Sequence, residues 1–189
     1  MTNGVFSDFE LDQLGIKFNK TNATYQSVNC VGSCEEEMES KVITKSCRGV
    51  VVKTVVKGTG NGTLKITAHI PWAVYVDFYG MSIEGLIAGV KAYGRNSVHN
   101  GFAAVMHIND EDGAEKYKAY PNCIMKSGVV RKIENGAEEV AQLEIEASVM
   151  PDEYGNGLYE ALATELDESV ATQWMSAFTP ELMQSVQTA

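Results

Sequence analysis

Four cysteines are the residues in this chain best suited by type to metal chemistry. Cys30 and Cys34, separated by three residues, together with Cys47 could supply three thiolates to a zinc ion. No fourth ligand is evident, because the three histidines are distant from them and scattered. Cys123 stands alone, without a neighbouring base that would make it a nucleophile. Ordinary buried or loop cysteines are therefore the simpler interpretation, and a small metal-binding enzyme stays open as an alternative.

Carboxylates are abundant, and the most regularly spaced of them lie in the segment Val140–Val149. Apolar residues alternate there with Gln142, Glu144 and Glu146, which is typical of a strand with one buried face and one wet face. Acid–base catalysis needs two carboxyl groups in unlike environments. Glu144 and Glu146 share one strand face and should titrate alike, so an ordinary solvated face is the simpler interpretation and a functional acidic lining is the alternative. We expect no catalytic residue, cofactor or metal.

The composition bounds the class of protein. The chain has 189 residues, 44% hydrophobic content and a formal net charge of −10. Clustered lysine and arginine that would neutralise phosphates are not expected, so DNA binding is disfavoured. There is no run of about 18 apolar residues and no signal-peptide pattern at the N-terminus. We expect synthesis for use in the cytosol, without a membrane.

Two hairpins are predicted from turn residues. Asn135-Gly136 lies between Gly128–Glu134 and Ala137–Val149, and Asn-Gly is the strongest short signal for a hairpin. The glycine-rich run Gly58–Gly62 follows a valine-rich strand and precedes an alternating strand, so it is predicted to be a second hairpin turn. An alternating strand after the glycines argues against a phosphate-binding loop, which opens a helix.

The remaining elements are predicted from periodicity. Residues 1–20 are expected to form an arm or short turns, and residues 29–47, which are rich in glutamate, an exposed loop. A strand at Ala73–Tyr79 is followed by a helix at Ser82–Ala92, where apolar residues recur at helical spacing. Further predictions are strands at Gly101–Ile108, Lys116–Met125 and Leu158–Leu162, a helix at Asp167–Phe178 and a short helix from Pro180.

The order of these elements resembles the major tail tube protein of long-tailed, siphovirus-like bacteriophages. The resemblance is carried by Ala73–Lys91, a strand leading into the short central helix, and by Ala141–Leu162, a strand followed by a Pro-Asp-Glu-x-Gly loop and a Tyr-Glu strand. It covers roughly residues 50–185. Residues 1–189 are expected to form one domain, with an N-terminal region at 1–48 and a β-rich core at 49–189.

The resemblance implies a mainly β fold of the α+β class, in which a β-sheet is accompanied by a few helices. This would be a sandwich or half-barrel with a central short helix and a C-terminal helix, completing a β-barrel lumen on oligomerisation. It implies hexameric rings that stack into a hollow tube in the virion tail, assembled in the host bacterial cytoplasm. Implied partners are the chain itself, a tape measure protein, a tail terminator and distal tail or baseplate proteins. Double-stranded DNA would pass through without specific binding.

Two sets of residues follow as hypotheses. Gln142, Glu144 and Glu146 are predicted to face the lumen, since carboxylates repel DNA and let it slide. The glycine-rich run is predicted to contact the next ring, because a tip rich in glycine adapts to a partner surface. Its residues are Gly58, Thr59, Gly60, Asn61 and Gly62. Another tail or neck component, such as a terminator, connector or decoration protein, remains a second possibility.

Overall fold

The computed structural model describes residues 6–133, 135–136 and 140–184. Eight strands and two helices occur in these ranges, with two short 3-10 turns at Ala163–Glu165 and Glu181–Met183. In chain order the elements are β1 Glu10–Phe18, β2 Gln26–Val28, β3 Val31–Cys47, β4 Val50–Ala68, α1 Trp72–Phe78, β5 Phe102–Asn109, β6 Glu115–Met125, β7 Leu143–Val149, β8 Tyr159–Leu162 and α2 Glu168–Ala177.

The strands form one antiparallel sheet in the order β2-β1-β5-β6-β7-β4-β3, with β8 paired to the free part of β6. The sheet curves around an apolar core, and residues from both halves of it meet there. Cys34 of β3, for example, contacts Met106 of β5 through their sulfur atoms at 3.8 Å. The fold is therefore mainly β and resembles a half-barrel whose two edges stay open among the described residues.

Helix α1 fills the concave side of the sheet, where the sequence predicted a strand. Pro71 precedes the helix and supplies a backbone angle that suits a helix start. Val74, Tyr75 and Phe78 then fall on one helical face and are buried in the core. Tertiary burial overrides the β propensity of this valine- and tyrosine-rich segment.

The predicted helix at Ser82–Ala92 is wrong. These residues form turns and irregular chain, with Gly85 and Gly89 at φ +85° and +87°. Left-handed glycines interrupt a helix, and no core surface compensates, because Ile87 is 82% exposed. The described chain still has one short central helix and one C-terminal helix, but the central one is α1.

The N-terminal region is also more ordered than predicted. Residues 10–18, expected to be an arm or turns, form β1, which pairs with β2 and β5 and buries Leu14, Ile16 and Phe18. Residues 31–47, expected to be a loop, form β3. The prediction that this glutamate-rich segment is exposed agrees with its burial pattern, in which all but three of the 17 residues are exposed.

Several predicted strands are confirmed. β5, β6 and β8 lie close to the predicted bounds, whereas β7 begins only at Leu143 and buries Ile145, Ala147 and Val149 on one face only. α2 and the helical turn after Pro180 are also present. The predicted Asn-Gly hairpin is wrong. Asn135 and Gly136 form a turn with Gly136 at φ +72°, but residues 128–133 are not a strand, and β7 pairs with β4 and β6 instead. Glu134 and residues 137–139 lie outside the described residues.

Helix α2 covers the convex side of β5 and β6. Trp174 and Phe178 are buried there against Val105 and Ala119, and the Trp174 indole Nε1 donates a hydrogen bond to the Lys118 carbonyl at 3.1 Å. In the described ranges, no helix has the length and apolar content needed to cross a membrane.

Candidate functional site

The most unusual surface is the far part of the β3–β4 hairpin, residues 40–61, which we call the ribbon. β3 and β4 pair along their whole length, and the tip is a two-residue turn at Arg48 and Gly49, both with positive φ. Beyond the body of the sheet the ribbon extends over about eight residue pairs, or roughly 25 Å. Apolar residues are exposed on both of its faces, with Ile43 at 46% on one face and the paired Val42 and Val56 at 59% and 60% on the other.

The glycine-rich run is not the tip of this hairpin, so the predicted turn at Gly58–Gly62 is wrong. These residues belong to β4 and lie at the base of the ribbon, opposite Met38 and Ser40 of β3. A bulge forms there, with Gly60 at φ +77°. The Gly60 backbone packs directly against Gly155 and Gly157 of the loop at residues 151–157. Glycine is needed because two main chains touch at this point.

Basic residues are concentrated in the ribbon, contrary to the expectation that none are clustered. Residues 40–61 carry five basic residues and no acidic one, so the rest of the chain has ten basic and 25 acidic residues, a formal charge of −15. Lys41 lies directly opposite Lys57, and Lys45 directly opposite Lys53. The sequence contains this signal, but a count over the whole chain conceals it.

One face of the ribbon therefore has a defined pattern, and we call it the lysine face. Its two lysine pairs enclose the apolar pair Ile43 and Val55, which shares their side of the hairpin. Like charges directly opposite each other destabilise a strand pair. None of these four lysines forms an ion pair with another described residue. The lysine face is thus a costly arrangement in the isolated chain.

The predicted lumen residues lie on the convex face of the sheet. Glu144 and Glu146 of β7 pair with Thr67 and Lys65 of β4, and Gln142 precedes the strand and is exposed. The Lys126 ammonium contacts the Glu146 carboxylate at 3.0 Å.

The register extends this face to β3, where Glu35 lies opposite Lys65 and Glu37 opposite Thr63. The convex face thus carries Glu35, Glu37 and the two glutamates of β7 against Lys65 and Lys126. It is acidic overall, and its β3 part was not predicted, because these residues were expected to form a loop.

An ion network around the buried Lys118 side chain connects β3, just before the ribbon begins, to the middle of the sheet. The Lys118 side chain is only 7% exposed, and its ammonium contacts Glu36 at 2.6 Å, Glu160 at 3.1 Å and Asp8 at 3.3 Å. The Tyr120 hydroxyl donates a hydrogen bond to the other Glu36 oxygen. Glu36 belongs to β3 and Lys118 to β6, so the contact joins two strands that are not neighbours in the sheet.

The ionisation of this network follows from its pairing. Burial favours neutral Lys118, but hydrogen bonds and charges from Glu36 and Glu160 outweigh it and raise the Lys118 pKa. Partial burial also favours the neutral form of Asp8 and on its own would raise the Asp8 pKa. Hydrogen bonds and charges from Lys116 and Lys118 outweigh this effect and lower the pKa. A cavity of about 320 Å³ adjoins these groups. Because Lys118 is already bound to three carboxylates, it is not a free base for catalysis in this cavity.

The cysteines do not assemble into the metal site considered as an alternative. Cys47 lies beside the ribbon tip, 13 residues along β3 from Cys34, which is about 43 Å in a strand. Among residues 6–133, 135–136 and 140–184, no three His, Cys, Asp or Glu side chains are placed to hold a metal. Burial raises the pKa of the Cys34 and Cys123 thiols to about 12, which disfavours the thiolate form.

Comparison with known proteins gives similarity at the level of fold. No protein-family model and no curated protein matches the chain. A chain of the anti-feeding prophage baseplate has 12% identity and a TM-score of 0.46, covering 88% of this chain and 100% of its own. A chain of the anti-feeding prophage cap, which terminates the tube, has 8% identity and a TM-score of 0.44, covering 86% and 100%. At these levels the likeness does not indicate function, which has to be argued from the surfaces described above.

Proposed function

We propose that this chain is a structural subunit that polymerises as stacked rings into the hollow tail tube of a phage, through which DNA is delivered. The observation that carries the proposal is the ribbon, whose two faces both lie in solvent. A two-stranded hairpin without a packed face is only marginally stable in water. Ordering such a long ribbon costs conformational entropy, and its exposed valines gain little burial in the isolated chain. Both facts are explained if another molecule covers the ribbon.

The open sheet edges support the same function. β3 is an edge strand over all 17 of its residues, and β2 is the edge at the opposite end of the sheet. Unpaired backbone groups along a long edge invite pairing with another chain. Two different edges that pair head-to-tail generate a ring if the rotation closes. We expect six copies to close in this way, joining their sheets into one barrel around the lumen.

Within this tube, Gln142, Glu144 and Glu146 face the lumen, together with Glu35 and Glu37 on the same sheet face. Double-stranded DNA carries about one negative charge per 1.7 Å of its axis, so an acidic wall would not hold it. We expect a cryo-EM map of the tube to show these carboxylates on the inner wall. A map that places Glu144 and Glu146 on the outer wall would contradict the assignment.

The ribbon is proposed to contact the next ring. This includes the earlier candidates Gly58, Thr59, Gly60, Asn61 and Gly62, which form its base instead of its tip. The proposed setting is the virion tail, assembled in the host cytoplasm, where a tape measure protein, a terminator and distal tail or baseplate proteins would be the partners. No cofactor and no catalytic step belong to this proposal.

Self-assembly of the purified chain tests the proposal. We expect negative-stain microscopy at high protein concentration to show hollow filaments with a regular axial repeat. Replacing Thr44–Thr54 by Asn-Gly should leave a hairpin that turns directly between Ile43 and Val55, which are paired in the intact ribbon. This shortened variant should stay folded, because the removed residues are exposed, and it should form no long tubes.

The outcomes separate the candidate functions. Single rings from the intact chain, without filaments, would favour a tail terminator or connector over a tube subunit. A chain that stays monomeric at every concentration would refute self-assembly. Normal tubes from the shortened variant would show that the ribbon is not the stacking element.

A further inference from the structure

We infer that the lysine face of the ribbon recognises the acidic C-terminal segment of a second copy of this chain, residues 151–184. This inference rests on the proposed self-assembly and names the surface that the ribbon binds. It is drawn from the separation of charge within one chain, in which the ribbon is basic and the rest of the molecule is acidic.

The first step concerns the lysine face itself. Lys41 opposes Lys57 and Lys45 opposes Lys53, so four ammonium groups surround Ile43 and Val55 without any carboxylate between residues 40 and 61. Alternating lysine with glutamate would have stabilised the hairpin through cross-strand pairs. The arrangement present destabilises the free ribbon and becomes favourable only when a negative surface covers it.

The second step identifies that surface. Residues 151–184 contain seven acidic residues and no basic one. Five of the seven are exposed and make no ion pair with another described residue: Glu153, Glu165, Asp167, Glu168 and Glu181. The segment therefore has unneutralised negative charge on its surface, which complements the lysine face.

The third step decides between a second copy and DNA. A basic two-stranded ribbon could also approach phosphates, but the rest of this molecule carries −15 and would repel the duplex. The centre of the lysine face is the apolar pair Ile43 and Val55, which suits the mixed polar and apolar surface of a protein better than a phosphate backbone. Contact with a second copy also explains why opposite charges are separated within one sequence.

Reversing the charge of each surface tests the inference. The first variant is K41E/K45E/K53E/K57E, and the second is E153K/E165K/D167K/E168K. Each should raise the protein concentration at which filaments appear by at least about tenfold, because a like-charge contact opposes association. A chain carrying both sets of substitutions should assemble at nearly the original concentration. The matched control K41R/K45R/K53R/K57R keeps the charge and should assemble like the unmodified chain.

A salt titration of the unmodified chain and a folding test of each variant complete the experiment. Filament formation by the unmodified chain should weaken when sodium chloride is raised from 50 to 500 mM, about a tenfold change in ionic strength that shortens electrostatic range about threefold. This readout needs no variant and so does not depend on the folding of the substituted chains. Circular dichroism and thermal unfolding establish whether each variant is folded.

Failure of this inference is distinguishable from failure of the proposed function. If the unmodified chain assembles equally well at both salt concentrations, and the folded charge-reversed variants also assemble, the lysine face is not a recognition surface but the tube proposal stands. If the doubly reversed chain does not regain assembly, the C-terminal segment is not its partner. Retardation of double-stranded DNA by the unmodified chain, lost in the first variant while filaments persist, would assign the ribbon to nucleic acid instead.

Discussion

Substitution of Lys118→Met should lower the free energy of unfolding at pH 7 by about 2 to 3 kcal/mol, because it leaves carboxylates beside a buried site without their cation. The Lys118 side chain is 7% exposed and contacts Glu36, Glu160 and Asp8. Methionine matches the length and volume of the aliphatic part, so the loss is mainly electrostatic. This loss is smaller than the about 3 to 5 kcal/mol typical of a fully buried pair, because the three carboxylates are partly exposed.

The pH dependence of this loss follows from the directions of the pKa shifts. Asp8 has a lowered pKa in the folded chain, so its contribution to stability is present above its unfolded pKa and is lost as pH falls through the folded pKa. Lys118 has a raised pKa, so its contribution is present below its unfolded pKa and is lost only as pH rises through the folded value. The difference between the two proteins should therefore shrink below about pH 4, where carboxyl groups protonate.

Urea denaturation followed by circular dichroism at pH 7 and at pH 3 to 4 checks this prediction. Lys126→Met is the matched control, because Lys126 also contacts a glutamate of the sheet but its side chain is 53% exposed. It should cost less than about 1 kcal/mol. An equal loss in both variants, or a Lys118→Met loss that stays constant down to pH 3, would show that packing and not charge is responsible.

The sequence predicted those strands whose pattern of burial is regular. β7 places apolar residues on alternate positions facing the core, so a period of two is visible in the chain itself. α2 was predicted for the same reason, since Val170, Trp174 and Phe178 recur every fourth residue. β5 and β6 are buried in part on both faces, because Val105 and Ala119 pack against α2. Where a single buried face governs an element, local sequence is sufficient.

The elements that were mispredicted depend on distant partners. α1 contains residues that prefer strands, and it becomes a helix because the curved sheet provides a pocket for Val74, Tyr75 and Phe78. Residues 39–47 of β3 are exposed on both faces, so they have no alternation to reveal them as a strand. Only their backbone pairing with β4 identifies these residues as a strand.

The candidate interaction surfaces were predicted in part. Glu144 and Glu146 lie on the wet face of β7 as expected, but Glu35 and Glu37 join them only through the register of β3 with β4. The basic ribbon could have been found by counting charge in windows along the chain. The pairing of Lys41 with Lys57 could not have been found in that way, because the hairpin tip lies at Arg48 and Gly49 and not at the glycine-rich run.

Substitution of Gly157→Ala should destabilise the chain by about 2 to 3 kcal/mol and disturb the base of the ribbon. A Cβ atom at Gly157 would overlap the Gly60 carbonyl oxygen and approach the Met38 side chain at 3.0 Å. The loop at 151–157 has little room to yield, since the Asp152 carboxylate accepts hydrogen bonds from two loop amides and from the Tyr159 hydroxyl. The strain should therefore shift the bulge at Gly60.

Gly58→Ala is the matched control for this substitution, because nothing lies within 4 Å of a Cβ atom at Gly58 and its φ is not positive. It should change the free energy of unfolding by less than about 1 kcal/mol and could increase it, since alanine restricts the unfolded chain. Urea denaturation of both variants compares them directly. If the glycine-rich run were a free turn at a hairpin tip, Gly157→Ala would have no reason to act through Gly60, and the two variants would unfold alike. A clear difference between them would support main-chain contact between β4 and the loop at 151–157 as the feature that orients the ribbon. Gly157 would then set the direction in which the ribbon projects, although it lies 97 residues after Gly60 in the sequence.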